Sequence, residues 1–491
     1  MEQYSNIFIV GIKGVAMANL AVIYKKWGKN VGGADVVDEF ITDKLLKDNN
    51  ISYRIGFDPV KLPSETELII YSAAHGGTNN PIVAEARKRK LTIISQAEAI
   101  GQLMSQSKTK IAVAGCHGKT TISSLLSYGL IKLGAKPNYI VGTPFFTGYQ
   151  GGDYLGGEYF VAEADEYGVN PPLDKTPKFH FLNPDYIICP NIDFDHPDVY
   201  KDIEETKAAY GKFFAGNNSS TIVQELFVCQ DNVNLMDLIR QFPKEKYVTF
   251  GFDKKSDYRI ENVVTDQNGS SFDLIDSRRF ASRRIARMTV RINLFGLKSV
   301  SNAVGVIALL LKLGFPVDQI QKSIAEFTGA KRRFEPVYDG DIKLFDDYAH
   351  HPKEIETTIK AARMRFPGRR LVIIFQPHTY SRTQALMPDF AESLSQADLV
   401  YILPIFPSAR EKISQFAICS EDIAKLNPDK LLYVSSKADL IHHLSSIIHN
   451  QDILFTMGAG DVYKLKDDII KVISNAKVQI SNHSNNATDD S

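Results

Sequence analysis

Three times along the chain a short apolar run enters a glycine-containing turn and gives way to helical periodicity. The first run covers residues 6–10, turns through 11–14 and continues into apolar positions at helical spacing over 15–27. Further apolar runs at 68–71 and 91–94 make an alternation that predicts a parallel, doubly wound sheet. The second opening is a strand from Ile111 into a turn ending at Gly118, followed by a helix over 120–133. Polar residues 105–108 read as the linker between these two units. The third unit begins near Gly329, with strands expected at 343–345, 371–375 and 399–403 and helices between them. The pattern therefore predicts an α/β chain of three domains, at 1–106, 107–328 and 329–477. Residues 478–491 are polar and are expected to form a disordered tail.

Composition fits that division and narrows the chemistry. A chain of 491 residues matches three domains of about 150 residues each. Lys and Arg number 57 and Asp and Glu number 57, so the balance of charge gives no sign of a nucleic-acid or membrane surface. An anionic substrate would have to be held locally, by helix N-termini and placed cations. The cysteines Cys116, Cys189, Cys229 and Cys419 are scattered and form no C-x-x-C pair, which speaks against a disulfide framework or a zinc knuckle. There is no leader-like opening and no run of about 18 apolar residues, so a cytoplasmic location is expected.

The stretch Gly115-Cys116-His117-Gly118-Lys119-Thr120-Thr121 carries the clearest chemistry. Glycines let backbone N–H groups point at phosphate oxygens, and the following helix adds the favourable end of its dipole. Lys119 supplies a charge for β- and γ-phosphates, and the Thr120 hydroxyl can ligate Mg2+. Two residues separate Gly115 from Gly118, where the common Walker pattern has four. The plainer alternative is an ordinary turn with an exposed lysine. A strand before, a helix after and the G-K-T-T sequence favour phosphate binding.

Downstream, an apolar strand runs into Glu163-Ala164-Asp165-Glu166, and a second, over 186–190, is followed by Asn191-Ile192-Asp193-Phe194-Asp195-His196. Acids at the carboxyl ends of parallel strands lie at the edge where nucleotides bind. The Mg2+ that accompanies ATP prefers carboxylate and hydroxyl oxygens. A second cation would reduce repulsion between a carboxylate nucleophile and the γ-phosphate. One acidic cluster alone is better read as a solvated loop; two of them after a phosphate loop point to metal.

In the first domain, Gly11-Ile12-Lys13-Gly14-Val15-Ala16 is a degenerate dinucleotide fingerprint, compatible by itself with a nucleotide site or a structural turn. Asp35 follows the strand 31–34, about 20 residues beyond the turn, where a ribose- or base-binding acid belongs. In the third domain, Arg, His and Asp recur near the ends of successive strands, as in a shared cleft. The segments are Arg332-Arg333-Phe334, Asp346-Asp347-Tyr348-Ala349-His350-His351-Pro352, Gln376-Pro377-His378-Thr379-Tyr380-Ser381-Arg382-Thr383 and Ala409-Arg410-Glu411-Lys412.

Together these motifs resemble the Mur ligases, ATP-dependent enzymes that join an amino acid or peptide to a UDP-N-acetylmuramyl nucleotide. The resemblance extends over about residues 6–475. The short G-x-H-G-K-T-T loop is the form found in that family and in the related folylpolyglutamate synthetases. The resemblance implies Rossmann-like first and third domains around a central P-loop ATP-binding domain. It implies a UDP-sugar rather than NAD at Gly11, Gly14, Asp35 and Ser72, with Lys13 standing where the family has a glycine. ATP is implied at Gly115, Cys116, His117, Gly118, Lys119, Thr120 and Thr121, and at Asn302, Arg333 and Asp346. Lys298-Ser299 replaces the family's H-N pair, so adenine recognition is expected to be partly rearranged. Mg2+ is implied at Thr120, Glu163 and His196, and Lys207 falls where some relatives carry a carbamylated lysine. Lys119, Glu163, His196, His351 and Arg382 would carry the chemistry.

Two branches of the family contribute features. The segments F-Q-P-H-x-Y-x-R-T and A-R-E-K resemble the branch that attaches L-alanine to UDP-N-acetylmuramate. Tyr167 after E-A-D-E and the D-K-x-x-K-F element at 174–179 resemble the branch that attaches the L-Ala-γ-D-Glu-diaminopimelate tripeptide in murein recycling. The third domain receives the amine, so L-alanine is the expected acceptor, with His351 and Arg382 near the amino acid and phosphoryl group. The implied mechanism is formation of an acyl phosphate from the lactyl carboxylate and ATP, followed by attack of the amine, with the third domain closing on the other two. A nucleotide-binding module without ligase activity would share the first two domains but would have no need of Arg333, Asp346 and His351.

Overall fold

The computed structural model describes residues 3–216, 223–278, 286–407, 411 and 413–475. The expected tail at 478–491, and Arg410 and Lys412 of the A-R-E-K segment, lie outside the described residues.

The first sheet is wholly parallel, in the order β3-β2-β1-β4-β5. Its strands are β1 (Asn6–Val10), β2 (Asn30–Asp35), β3 (Tyr53–Ile55), β4 (Leu68–Tyr71) and β5 (Thr92–Ser95). Residues 7–10 are all apolar because both faces of the sheet are covered. Ile7 and Ile9 pack with the helix Val15–Lys26 on one face, and Phe8 and Val10 with Ile69, Ile82 and Val83 on the other. Strand order reverses between β1 and β4, and the crevice beyond their carboxyl ends is where folds of this kind hold nucleotides.

The second sheet has ten strands, in the order β17-β16-β15-β14-β13-β12-β6-β9-β7-β8. Its strands are β6 (Thr109–Val113), β7 (Asn138–Phe146), β8 (Tyr149–Tyr154), β9 (Tyr159–Glu163), β12 (Tyr186–Cys189), β13 (Glu225–Cys229), β14 (Tyr247–Gly251), β15 (Tyr258–Asp266), β16 (Gly269–Asp276) and β17 (Ala286–Ile292). A separate antiparallel hairpin, β10 (Gly168–Asn170) and β11 (Asp174–Pro177), leaves the loop after β9. The centre of the sheet is parallel, and its margins β15-β16-β17 and β7-β8 are antiparallel. Strand β6 lies between β9 and β12, so both acidic segments flank the turn that follows it.

The third sheet runs β18-β19-β23-β20-β21-β22, parallel except for β18. Its strands are β18 (Glu335–Asp339), β19 (Lys343–Asp347), β20 (Leu371–Phe375), β21 (Leu399–Ile402), β22 (Leu431–Tyr433) and β23 (Ile453–Met457). The chain divides into two compact units, Met1–Lys331 and Arg332–Ser491, so the first two sheets share one unit. No helix of the described residues is long and apolar enough to cross a membrane.

The joint between the first two sheets is a helix laid on a strand pair. Helix Val15–Lys26 packs on β7 and β8, where the β7–β8 ladder is irregular between Ile140 and Phe145. Buried Asn19 fills the gap: its Nδ2 donates to the carbonyls of Val141 at 2.8 Å and Thr143 at 3.0 Å. The approach requires Gly152, where a Cβ would lie 2.6 Å from the Asn19 carbonyl oxygen. Trp27, the only tryptophan, caps the same helix and stacks on Tyr154 at 5.4 Å. Replacing Asn19 by Ala strands two buried acceptors and should lower the unfolding free energy of this unit by about 2–4 kcal/mol. Urea denaturation followed by Trp27 fluorescence reads that loss directly, and an unshifted midpoint would remove Asn19 from the joint.

Candidate active site

The turn after β6 is shaped by two glycines in left-handed backbone, Gly115 at φ 116° and Gly118 at φ 86°. Neither position has room for a side chain: a Cβ would lie 2.9 Å from the Asn191 carbonyl oxygen at 115 and 3.0 Å from Asn302 Nδ2 at 118. The segment after β12 holds the turn in place. Asn191 Oδ1 accepts the His117 N–H and its Nδ2 donates to the His117 carbonyl, both at 2.8 Å. The Asp193 N–H donates to Cys116 Sγ at 3.2 Å, and that thiol donates to the Asp193 carbonyl at 3.0 Å. Burial pushes the Cys116 thiol well up, so it braces the turn as a neutral group rather than acting as a nucleophile.

Lys119 opens the helix Lys119–Lys132, and its ammonium is folded back over the turn. It donates to the Gly115 carbonyl at 2.6 Å and to both carboxylate oxygens of Glu166, at 2.9 and 2.7 Å. Burial is the largest single influence and would depress its pKa, but Glu166 together with Cys116, Asp165 and Glu163 more than offsets it and holds the ammonium charged. Glu163 accepts from the hydroxyls of Thr120 at 3.1 Å and Ser123 at 3.2 Å and from the Gly142 N–H at 2.8 Å. The acids and the histidine thus form two groups. Thr120 and Glu163 make one; His196 makes the other, its Nε2 3.7 Å from carboxylate oxygens of both Glu166 and Asp195.

The ligand atoms of Glu166, Asp195 and His196 lie within 4.8 Å of one another, a set that fits a divalent cation after a small inward movement. Glu166 was missed by sequence reasoning, and the signal for it is present: it is the last acid of E-A-D-E, beside a loop whose lysine needs a counter-charge. Asn302 lies against Gly118, and its buried Oδ1 has no hydrogen-bond partner among the described residues, which fits an acceptor awaiting a nucleotide donor. Lys207 bridges Glu204 at 2.9 Å and Asp237 at 2.8 Å. These hydrogen bonds raise its pKa, and a protonated amine works against carbamylation.

In the first sheet, Ser72 lies at the glycine turn: a Cβ on Gly11 would be 3.1 Å from its Oγ. Gly14 precedes the helix Val15–Lys26. Asp35 is turned inward, accepting the N–H groups of Lys13 at 2.7 Å and Val36 at 2.8 Å, with His75 Nε2 at 3.3 Å. The Lys13 ammonium is likewise buried, donating to the carbonyls of Val36 at 2.9 Å and Asp38 at 2.8 Å.

In the third sheet, Asp346 and Asp347 end β19 and are both buried. Asp346 pairs with Arg332, whose Nε donates at 3.0 Å, and with the Thr456 hydroxyl at 2.7 Å. Arg333 instead lies 3.6 Å from Glu354, with its guanidinium over the Tyr348 ring. His351 caps the helix Pro352–Arg365, its Nδ1 accepting the Lys353 N–H at 3.3 Å. Arg382 is buried in the helix Tyr380–Ala385 and donates to the His378 carbonyl at 2.9 Å. Glu411 caps that helix, accepting the N–H groups of Tyr380 and Ser381 at 2.9 and 3.0 Å.

Comparison with known proteins accounts for all three sheets. Residues 6–108 match the Mur ligase family catalytic domain, 113–310 the Mur ligase middle domain, and 332–460 the Mur ligase glutamate ligase domain. The chain belongs to the Mur ligase family and is an enzyme of that family. Among individual relatives, it is 34% identical to the UDP-N-acetylmuramate–L-alanine ligase of Lactobacillus johnsonii, over 96% of this chain and 100% of that protein. It is 33% identical to the protein of the same name from Desulfitobacterium hafniense, over 95% and 99%. The crystal structure of UDP-N-acetylmuramate-alanine ligase from Thermotoga maritima superposes with TM-score 0.76 at 22% identity, covering 96% of this chain and 99% of that one. A murein peptide ligase from Psychrobacter arcticus superposes with TM-score 0.73 at 24% identity, with the same coverage. At these identities the two structural likenesses concern the fold.

Asp347 gives the third sheet a measurable pH dependence. Burial pushes its carboxyl up to about 6, against the pull of Arg333 and of the Ala349 and Phe334 N–H groups. Between about pH 4 and 6 the folded protein keeps a proton that the unfolded chain has released, so the ionised form costs stability above that window. Asp347→Asn mimics the protonated acid. Its stability relative to the parent should improve by about 3 kcal/mol as pH rises from 4 to 7, measured by urea denaturation across pH. A difference that stays flat would show that Asp347 does not titrate there.

Proposed function

We propose that the protein joins L-alanine to the lactyl carboxylate of UDP-N-acetylmuramate, with cleavage of ATP to ADP and phosphate, in cytoplasmic peptidoglycan precursor synthesis. The observation that carries this reading is the near full-length likeness to proteins named UDP-N-acetylmuramate–L-alanine ligase, at 34% identity. The charged groups around the β6 turn support it, because they provide for a triphosphate and for a cation.

In this reading the phosphates rest on the turn from Gly115 to Gly118, and Asn302 takes part in holding the adenine end. The UDP-sugar lies at the Gly11–Gly14 turn and Ser72. Thr120, Glu163 and the Glu166–Asp195–His196 group would hold Mg2+, which supplies neutralisation of charge on the phosphates. A lactyl carboxylate oxygen attacks the γ-phosphorus; the bond to the β,γ-bridging oxygen breaks, giving an acyl phosphate and ADP. Lys119 stabilises charge on the phosphoryl group in transit. The neutral amine of L-alanine then attacks the acyl carbon, and the tetrahedral intermediate expels phosphate as the amine loses a proton. Arg382 provides a cation for the alanine carboxylate, His351 serves the amino acid and phosphoryl region, and Arg333 and Asp346 meet the nucleotide. A second reading, ligation of the L-Ala-γ-D-Glu-diaminopimelate tripeptide, is favoured by Tyr167 and the 174–179 element alone.

Lys119→Ala removes a charge needed most in the transition state, so a folded variant should lose turnover by about 10²-fold or more. Near-normal ADP release by that variant would sink the phosphate-site assignment. In a panel of amines with UDP-N-acetylmuramate and ATP, kcat/KM for L-alanine should exceed that for the tripeptide at least about tenfold, or ~1.4 kcal/mol. A panel won by the tripeptide would transfer the protein to the second reading.

A further inference from the structure

Tyr167 and residues 174–179 resemble the tripeptide-attaching branch, and the function proposed above gives them no task. Their contacts do. The Tyr167 ring packs edge-on against the His196 imidazole, with centroids 4.8 Å apart and planes at 65°. Its hydroxyl donates to Asp198 Oδ2 at 2.6 Å, so the ring is tied two residues beyond the histidine it touches. His196 is in left-handed backbone, φ 60°, a conformation uncommon for a non-glycine residue. Its backbone is held on both sides: the His196 N–H donates to Asp195 Oδ1 at 2.7 Å, its carbonyl accepts from Val199 and Tyr200, and Tyr167, Val199 and Tyr200 form a small apolar cluster. Tyr200 closes the loop by donating its hydroxyl to the Glu166 carbonyl at 2.6 Å.

The 174–179 element serves the same segment from behind. Lys178 pairs with Asp165 at 2.8 Å and its N–H donates to the Tyr167 carbonyl at 3.0 Å. The Phe179 N–H donates to the Asp165 carbonyl at 3.0 Å, and its ring is fully buried, stacked on Phe213 at 4.7 Å. The Lys178 and Phe179 N–H groups and the Lys178 ammonium all bear on residues 165–167, the stretch that carries Glu166, and the Phe179 ring anchors the element itself.

We propose that Tyr167 is a positioning residue for His196, and that residues 174–179 brace the Glu166–Asp195–His196 cation site rather than choose the incoming amine. The inference rests on the ligase reading only for its acceptor arm; its metal arm is independent of which amine is used. The probe is Mn2+ alone, titrated into the full-length, nucleotide-free protein and read as free Mn2+ by electron paramagnetic resonance. Two variants separate positioning from folding. Tyr167→Phe keeps the packed ring and loses the anchor; Asp198→Ala removes the anchor from an exposed position and leaves the ring untouched. Both should weaken Mn2+ binding by about three- to tenfold, with His196→Ala as the limiting loss, while the ratio of kcat/KM for L-alanine to that for the tripeptide stays within about twofold. Undiminished Mn2+ binding in either variant overturns the proposal, as does a wild type that fails to bind Mn2+ or binds it independently of His196. A shift in the acceptor ratio also overturns it, making Tyr167 an acceptor contact. A wild type that ligates neither amine yet shows the expected Mn2+ series would sink the ligase reading and leave the positioning role standing.

Discussion

A lysine ammonium in a buried turn must have a counter-charge, and much of the active-site architecture follows from meeting that need at Lys119. The turn carbonyls satisfy its donors but not its charge; Glu166 does that with both oxygens. A buried pair with one partner removed leaves an uncompensated ion costing about 3–5 kcal/mol, so the position of Glu166 is tightly constrained. Its carbonyl is held by Tyr200 and its neighbour Asp165 by Lys178. Burial would raise the Asp165 carboxyl, yet Lys178 and Lys119 hold it far below the usual carboxylate range. The result is alternating charge from Lys178 through Asp165 and Lys119 to Glu166, with His196 at its end.

Sheet order is what lets so few residues do this. With β9 and β12 on either side of β6, the loops leaving three adjacent parallel strands converge at one edge. The β12 loop holds the glycine turn after β6 through Asn191 and Asp193, and the β9 loop supplies the acids. In the proposed reaction, the triphosphate of ATP would bring negative charge to a lysine already paired with a carboxylate. A cation at Glu166 would relieve that competition, so metal and nucleotide binding are expected to favour each other.

The strand-to-turn-to-helix openings were legible because hydrophobic period and glycine placement are local properties. The segment 371–375 is the strand β20 residue for residue, and the helix expected over 120–133 is shifted by one residue, to Lys119–Lys132. Non-local choices were not legible. In E-A-D-E the spacing puts acids at a strand end but cannot say that Glu163 turns to Thr120 and Glu166 to Lys119. In R-R-F the two arginines point differently, and only the packing of Gly458, Tyr463 and Asp346 selects Arg332 for burial. The antiparallel margins β15-β16-β17 and β7-β8 are likewise fixed by which strands are neighbours in the sheet.

The glycine-and-asparagine joint bears on how such proteins can be recombined. Asn19 on one side and Gly152 on the other are matched as a lock is to its key, so a chimaera spliced at the linker near residue 106 would set foreign surfaces against each other. A crossover at Lys331 leaves that match whole and exchanges the third sheet as a cassette. Recombination would accordingly exchange the third sheet more readily than the first.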